Sequence, residues 1–136
     1  MSDIVVVGTG LSGLTSARLL QKKGHSVVVL DKGRGLGGRM ATRRITAPDG
    51  SVALFDHGAQ FFTVREPAFQ QLVDQWITLG IVREWCRGFV SEDGHPRYVV
   101  NNGMAALTKY LAQDLDVRTA TLVFAIKPCD SDPAKW

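Results

Sequence analysis

The arrangement that most constrains this chain lies in its first 31 residues. An apolar β-branched run, Ile4-Val5-Val6-Val7, leads into Gly8-Thr9-Gly10-Leu11-Ser12-Gly13. A helical pattern from Leu14 to Lys23 follows, with Leu14, Ala17, Leu19 and Leu20 as its apolar positions, and a second run, Val27-Val28-Val29-Leu30, ends in Asp31. Such runs read as buried strands of a parallel sheet. The order strand, GxGxxG, helix, strand, acid is far more specific than the glycine spacing alone, and it points to a dinucleotide-binding unit. Gly8 can turn the chain off the strand, Gly10 has no Cβ and lets a diphosphate approach its backbone, and Gly13 lets the helix pack close to the strand. Leu11 and Ser12 lie in the same loop, at a helix N-terminus whose free N–H groups and partial charge of roughly +0.5 suit a diphosphate. Asp31 lies eighteen residues past Gly13, near the expected spacing of about 20 for an acceptor of ribose hydroxyls. A carboxylate there repels a 2′-phosphate, whereas Lys32 and Arg34 offer charge that would neutralise one.

A length of 136 residues is that of one ordinary domain, and 45% hydrophobic with 21% charged residues is the balance of a soluble globular chain. No apolar stretch exceeds strand length and no secretory leader pattern is present, so neither a membrane span nor export is expected. Cys86 and Cys129 make no metal spacing and no disulfide framework, which points to a reduced, cytoplasmic setting. The net charge is +3, and Lys32, Arg34, Arg39, Arg43 and Arg44 cluster locally. No nucleic-acid motif or interleaved aromatic accompanies that cluster, so a solvated face or a cofactor-phosphate contact is expected there.

Beyond Asp31, Gly33, Gly35, Gly37 and Gly38 imply irregular backbone brought close to something. A short strand is expected over 45–47, a turn at Pro48-Asp49-Gly50 and a strand over 52–55. Phe69, Leu72, Val73, Trp76, Ile77 and Leu79 recur at helical spacing after Pro67, and Gly80 ends the run. Residues 81–90 read as extended, 92–94 as a hairpin turn and 96–100 as its second arm. A third helix is expected over about 104–113, two closing strands over 117–119 and 122–126, and a polar, patternless tail after that. Phe61, Phe62, Trp76 and Trp85 are expected in the core, and His57 at the surface.

Four blocks in this order carry a resemblance: Gly8-x-Gly10-x-x-Gly13-x-x-x-Ala17, Asp31-Lys32, Gly37-Gly38-Arg39-Met40-Ala41-Thr42, and Asp56-x-Gly58-Ala59-Gln60-Phe61-Phe62. The later stretch from Gly103-Met104 through Val117, Val123 and Ile126 fits as well. The chain resembles the FAD-dependent amine-oxidase superfamily, and within it the renalase-like branch. The resemblance implies an α/β fold, a Rossmann-like FAD/NAD(P)-binding domain with a parallel sheet, interrupted by the start of a substrate-domain insertion. It places an FAD-binding domain over 1–126, the beginning of the insertion over about 55–100, and an irregular tail over 127–136. It gives Gly8, Gly10 and Gly13 to the diphosphate, Asp31 to the adenosine ribose, and Arg34 to the ribose–diphosphate region. Gly38, Arg39 and Met40 would pass beside the diphosphate and ribityl chain. Gly58, Ala59, Gln60 and Phe61 would face the isoalloxazine ring, and the Val123 main chain would touch adenine.

Members of that superfamily are more than twice as long. The chain is therefore expected to be a truncated N-terminal part, marginally stable alone, with an apolar sheet edge and face uncovered and the cofactor pocket open. The intact relative would take a hydride from a C–H next to nitrogen, in an amine or a dihydronicotinamide, and return electrons to O2. No catalytic residue is identified. Two other readings stay open: an NAD-binding Rossmann domain, which explains the first 31 residues but not the Gly37-Gly38-Arg39 and Asp56-to-Gln60 blocks, and an inert remnant or partner-binding subunit.

Overall fold

The computed structural model describes residues 3–89, 91, 94–132 and 134–136. β1 (Asp3–Val7), α1 (Leu11–Lys22) and β2 (Ser26–Leu30) form the expected β-α-β unit. β1 and β2 pair in parallel, Asp3 opposite Ser26 through Val7 opposite Leu30. A single 3₁₀ turn, Gly38–Met40, falls in the glycine-rich stretch. β3 (Thr42–Thr46) and β4 (Val52–Asp56) then make an antiparallel hairpin. β3 thus starts three residues before the expected short strand, because Thr42 and Arg43 pair with Asp56 and Phe55.

The chain next leaves for an antiparallel sheet of order β5-β7-β6, from β5 (Phe62–Thr63), β6 (Val82–Cys86) and β7 (Arg97–Val100). α2 (Pro67–Thr78) packs on it through buried Val73 and Trp76, with Pro67 in its first turn. The hairpin turn expected at 92–94 lies largely outside the described residues. α3 (Ala105–Leu111) and β8 (Asp116–Arg118) bring the chain back, and β8 adds in parallel to the free side of β2. The result is a parallel sheet of order β1-β2-β8.

The core lies between this sheet and the helices. Leu14 and Ala17 of α1, Val27 and Val29 of β2, and Met104, Leu107 and Leu111 at α3 are all buried. Arg18 ties α1 to the C-terminal end of α3. Its Nη1 donates to the carbonyls of Tyr110 and Leu111 at 3.3 Å each, and its guanidinium lies 5.6 Å from the centre of the Tyr110 ring. These bonds occupy carbonyls that a helix end leaves without intrahelical partners.

β1 is buried on one face only: Ile4 and Val6 pack on the core, while Val5 and Val7 remain 60% and 54% exposed, in line with the uncovered apolar face expected of the sheet. Three expectations need correction. Leu19, Leu72, Ile77 and Leu79, read as apolar helix positions, are exposed at 55%, 38%, 39% and 57%. Residues 122–126 form no strand: Leu122, Phe124 and Ile126 project into solvent, Phe124 at 90% exposure, because no described strand pairs with them. Trp85 is half exposed rather than core, part of a ring cluster with Phe61 and Phe89. No described helix is long and apolar enough to cross a membrane.

Candidate functional site

The glycine loop between β1 and α1 opens onto a cleft of about 430 Å³. Its construction begins with two close approaches that only glycine permits. A Cβ on Gly13 would stand 2.1 Å from the Gly8 carbonyl oxygen, so α1 sits directly against the end of β1. A Cβ on Gly58 would stand 2.1 Å from the Arg39 carbonyl oxygen, and the Ala59 N–H donates to that same oxygen at 2.7 Å. The second approach clamps the segment after β4 onto the 3₁₀ turn. The Gly37 N–H in turn donates to the Thr9 carbonyl at 3.2 Å, joining the turn to the glycine loop.

Gly10 differs from both. It has an ordinary extended backbone (φ −70°, ψ 172°), and a Cβ there would meet nothing within 4 Å. It caps α1 with no side-chain hydrogen bond, and the first turn carries no acidic residue. The N–H groups of that turn are thus neither capped by a side chain nor shadowed by a carboxylate, which is the condition for holding an anion.

Asp31, at the end of β2, is fixed by the loop it faces. Its Oδ2 accepts from the Thr9 N–H and the Thr9 hydroxyl at 2.6 Å each, and its Oδ1 accepts from the Gly33 N–H at 2.7 Å. Partial burial alone pushes this carboxyl up. The Thr9 and Gly33 donors, with Lys32 alongside, outweigh burial and hold it below the ordinary aspartate value. A carboxylate has about four lone-pair positions, so acceptor capacity remains for a hydroxyl. The segment after β8 closes on the same spot: Ala120 N–H donates to the Gly33 carbonyl and Thr121 N–H to the Asp31 carbonyl, both at 2.8 Å. That brings half-buried Val123 to this end of the sheet.

Of the residues singled out in the sequence, Gly8, Gly10, Leu11, Ser12, Gly13, Arg39, Met40 and Ala59 line the cleft together. Gly38 backs onto the glycine loop, where its Cβ would lie 3.8 Å from the Gly10 Cα. Asp31 and Val123 stand at the β2 end outside the lining, and Lys32 and Arg34 are exposed beyond them. Gln60 is exposed and off the cleft wall, and Phe61 turns to the cluster with Trp85 and Phe89. Sequence reasoning missed Val7, Gly37, Phe62 and Met104 as cleft walls. Gly37 had a signal in the glycine-rich run; Met104, from a distant turn, had one only in the later stretch of the resemblance, which gave it no role at the cleft.

Comparison with known proteins follows the same line. Residues 6–76, just over half of the chain, match the family model described as an NAD(P)-binding Rossmann-like domain. The chain belongs to this family. It is 31% identical to renalase of Mus musculus over 121 residues, covering 81% of this chain and 34% of that protein. It is 35% identical to an L-amino-acid oxidase of Siganus canaliculatus over 102 residues, covering 74% of this chain and 17% of that one. A solved structure of putrescine oxidase bound to putrescine is similar over 64% of this chain and 18% of its own, with 34% identity and a TM-score of 0.45. The chain therefore spans about a third or less of the length of these relatives.

Proposed function

We propose that this chain is the FAD-binding segment of a flavin-dependent oxidoreductase of the renalase and amine-oxidase type. Residues 1–126 form the cofactor-binding unit, and residues 55–100 begin a substrate-domain insertion. The observation that carries this reading is the clamp of Gly58 and Ala59 on the Arg39 carbonyl. A nicotinamide dinucleotide site of the simplest kind needs only β1, α1 and β2. Here the clamp adds a second wall, with Arg39, Met40, Ala59 and Phe62 continuing the cleft beyond the glycine loop. A cleft extended in this way suits a ligand with a further group past its diphosphate.

The residues present fit such a ligand. The α1 N-terminus offers uncapped N–H groups for a diphosphate, and Arg39 offers a cation at the cleft. Asp31 retains an acceptor for the adenosine ribose while its own donors hold it in place. Bound FAD supplies a hydride acceptor for a C–H bond next to nitrogen, with O2 as the final oxidant. The protein's part is binding and orientation: Gly38 to Met40 along the diphosphate and ribityl chain, and Ala59 with Phe62, the cleft walls that follow β4, toward the ring. The substrate would be a small amine or dihydronicotinamide in a cytoplasmic setting.

The test is titration of the purified chain with FAD, FMN and NAD, followed by flavin or protein fluorescence. FAD should bind more tightly than either of the others by at least about tenfold, or roughly 1.4 kcal/mol. NAD binding as tight as FAD would overturn the reading and leave a nicotinamide Rossmann domain.

A further inference from the structure

The 62–100 excursion leaves and re-enters the fold through a narrow neck, and one hydrogen-bond network spans it. At the exit, Asp56 ends β4; at the return, Asn102 (φ 64°) and Gly103 (φ 88°) turn the chain from β7 into α3. Asp56 Oδ1 accepts from the Thr42 hydroxyl and, at 2.8 Å, from the Met104 N–H. The Thr42 Oγ1 accepts in turn from the Ala105 N–H at 3.0 Å. Three chain segments, the start of β3, the end of β4 and the start of α3, meet on two side chains. The packing leaves no slack: a Cβ on Gly103 would lie 2.6 Å from the Thr42 Cγ2.

Both segments leaving this network become cleft wall within a few residues. Ala59, three residues after Asp56, carries the N–H bonded to the Arg39 carbonyl, and Met104 itself lines the cleft and is buried. We propose that the Thr42–Asp56–Met104 network is a latch at the neck of the excursion, and that its closure sets the Ala59 and Met104 walls for the dinucleotide. The ligand part rests on the FAD reading given above. Thr42 and Asp56 are positioning residues, since neither lines the cleft. The latch couples the β5-β7-β6 sheet to the cofactor cleft on the return side, where Met104 follows the end of β7 by four residues, and it anchors the exit side at Asp56, behind Ala59.

The experiment uses Thr42→Val and Asp56→Ala, which remove the hydroxyl or the acceptor, with Thr42→Ser and Asp56→Asn, which retain it. Amide exchange of Met104, Ala105 and Ala59 is followed in the ligand-free chain, and the FAD dissociation constant is measured for each variant. The first pair each remove two of the network's hydrogen bonds and should speed exchange at all three amides by at least about tenfold and weaken FAD by at least about tenfold. The second pair should stay within about twofold of the parent. Faster exchange at Met104 and Ala105 alone, with Ala59 and FAD binding unchanged, reduces the network to a helix cap and overturns the latch. Unfolding of both Thr42→Val and Asp56→Ala overturns it too, since the network would then hold the fold rather than the cleft. If the parent chain binds no FAD, the cofactor reading fails and Ala59 exchange alone decides the latch.

Discussion

Gly10 and Gly13 sit three residues apart, at the N-cap and in the first turn of α1, yet the structure assigns them opposite kinds of constraint. A methyl on Gly13 would stand 2.1 Å from the Gly8 carbonyl oxygen, more than 1 Å inside ordinary contact at 3.4 Å, and the obstacle is backbone. Relief requires α1 to move off β1, separating Leu14 and Ala17 from the core they fill. Overpacking of this kind costs about 3 kcal/mol. With a urea slope of about 1.5 kcal/mol per molar, the midpoint of Gly13→Ala should fall by about 2 M.

A methyl on Gly10 meets nothing within 4 Å, on a backbone that alanine adopts freely. Exchanging glycine for alanine at a helix N-cap costs about 0.5 kcal/mol. Stiffening the unfolded chain returns about as much. Gly10→Ala should therefore unfold within about 0.5 M of the parent, while on the proposed FAD reading its methyl would stand in the diphosphate path. FAD affinity should fall by about 10- to 100-fold, the 1–3 kcal/mol typical of an extra methyl in a filled site. Paired urea titrations and FAD titrations check both halves. Equal destabilisation by the two substitutions, or undiminished FAD binding by Gly10→Ala, would refute the assignment of one glycine to packing and the other to the ligand.

Two further predictions concern the same cleft. Gly58→Ala should break the Ala59-to-Arg39 bond, because its Cβ falls 2.1 Å from the Arg39 oxygen; a loss of about 2 kcal/mol in urea unfolding, with FAD affinity weakened at least about tenfold, is expected. Asp31 has a depressed carboxyl in the folded chain, so its stabilising effect is present above the unfolded value of about 3.9 and lost as pH falls through the folded value. The stability gap between the parent and Asp31→Asn should accordingly be widest near neutrality and narrow below about pH 4; a gap independent of pH across that range would contradict the Thr9 and Gly33 hydrogen bonds as its source.

The β-α-β unit was legible because it is local. Glycine spacing, β-branched runs and helical periodicity all act within about 30 residues, and β1 and β2 fall within a residue of those patterns while α1 starts three residues before the expected Leu14, taking in Leu11 to Gly13. The structure departs from the sequence reading where partners are distant. β3 begins at Thr42 because Asp56 lies opposite it, a pairing that no local pattern encodes. Residues 122–126 have strand composition but no strand beside them among the described residues, and composition alone cannot supply hydrogen-bond partners. The cleft follows the same division. Its glycine loop was read directly, and the Arg39 and Ala59 walls were read from a resemblance. Thr9 gave no signal between two glycines, yet it is fully buried and supplies both donors that fix Asp31 Oδ2. Met104 reaches the cleft only through the turn at Gly103, after an excursion whose path the sequence left unspecified.

The most direct measurement is the visible absorption spectrum of the purified chain, followed by release and identification of whatever it holds. A two-band flavin spectrum, either as purified or after incubation with FAD, with FAD as the released species, is the predicted result. A chain that stays colourless after FAD is added, yet binds NAD in the same cleft, would contradict the central claim that the Gly58–Arg39 clamp extends this Rossmann unit into a flavin site.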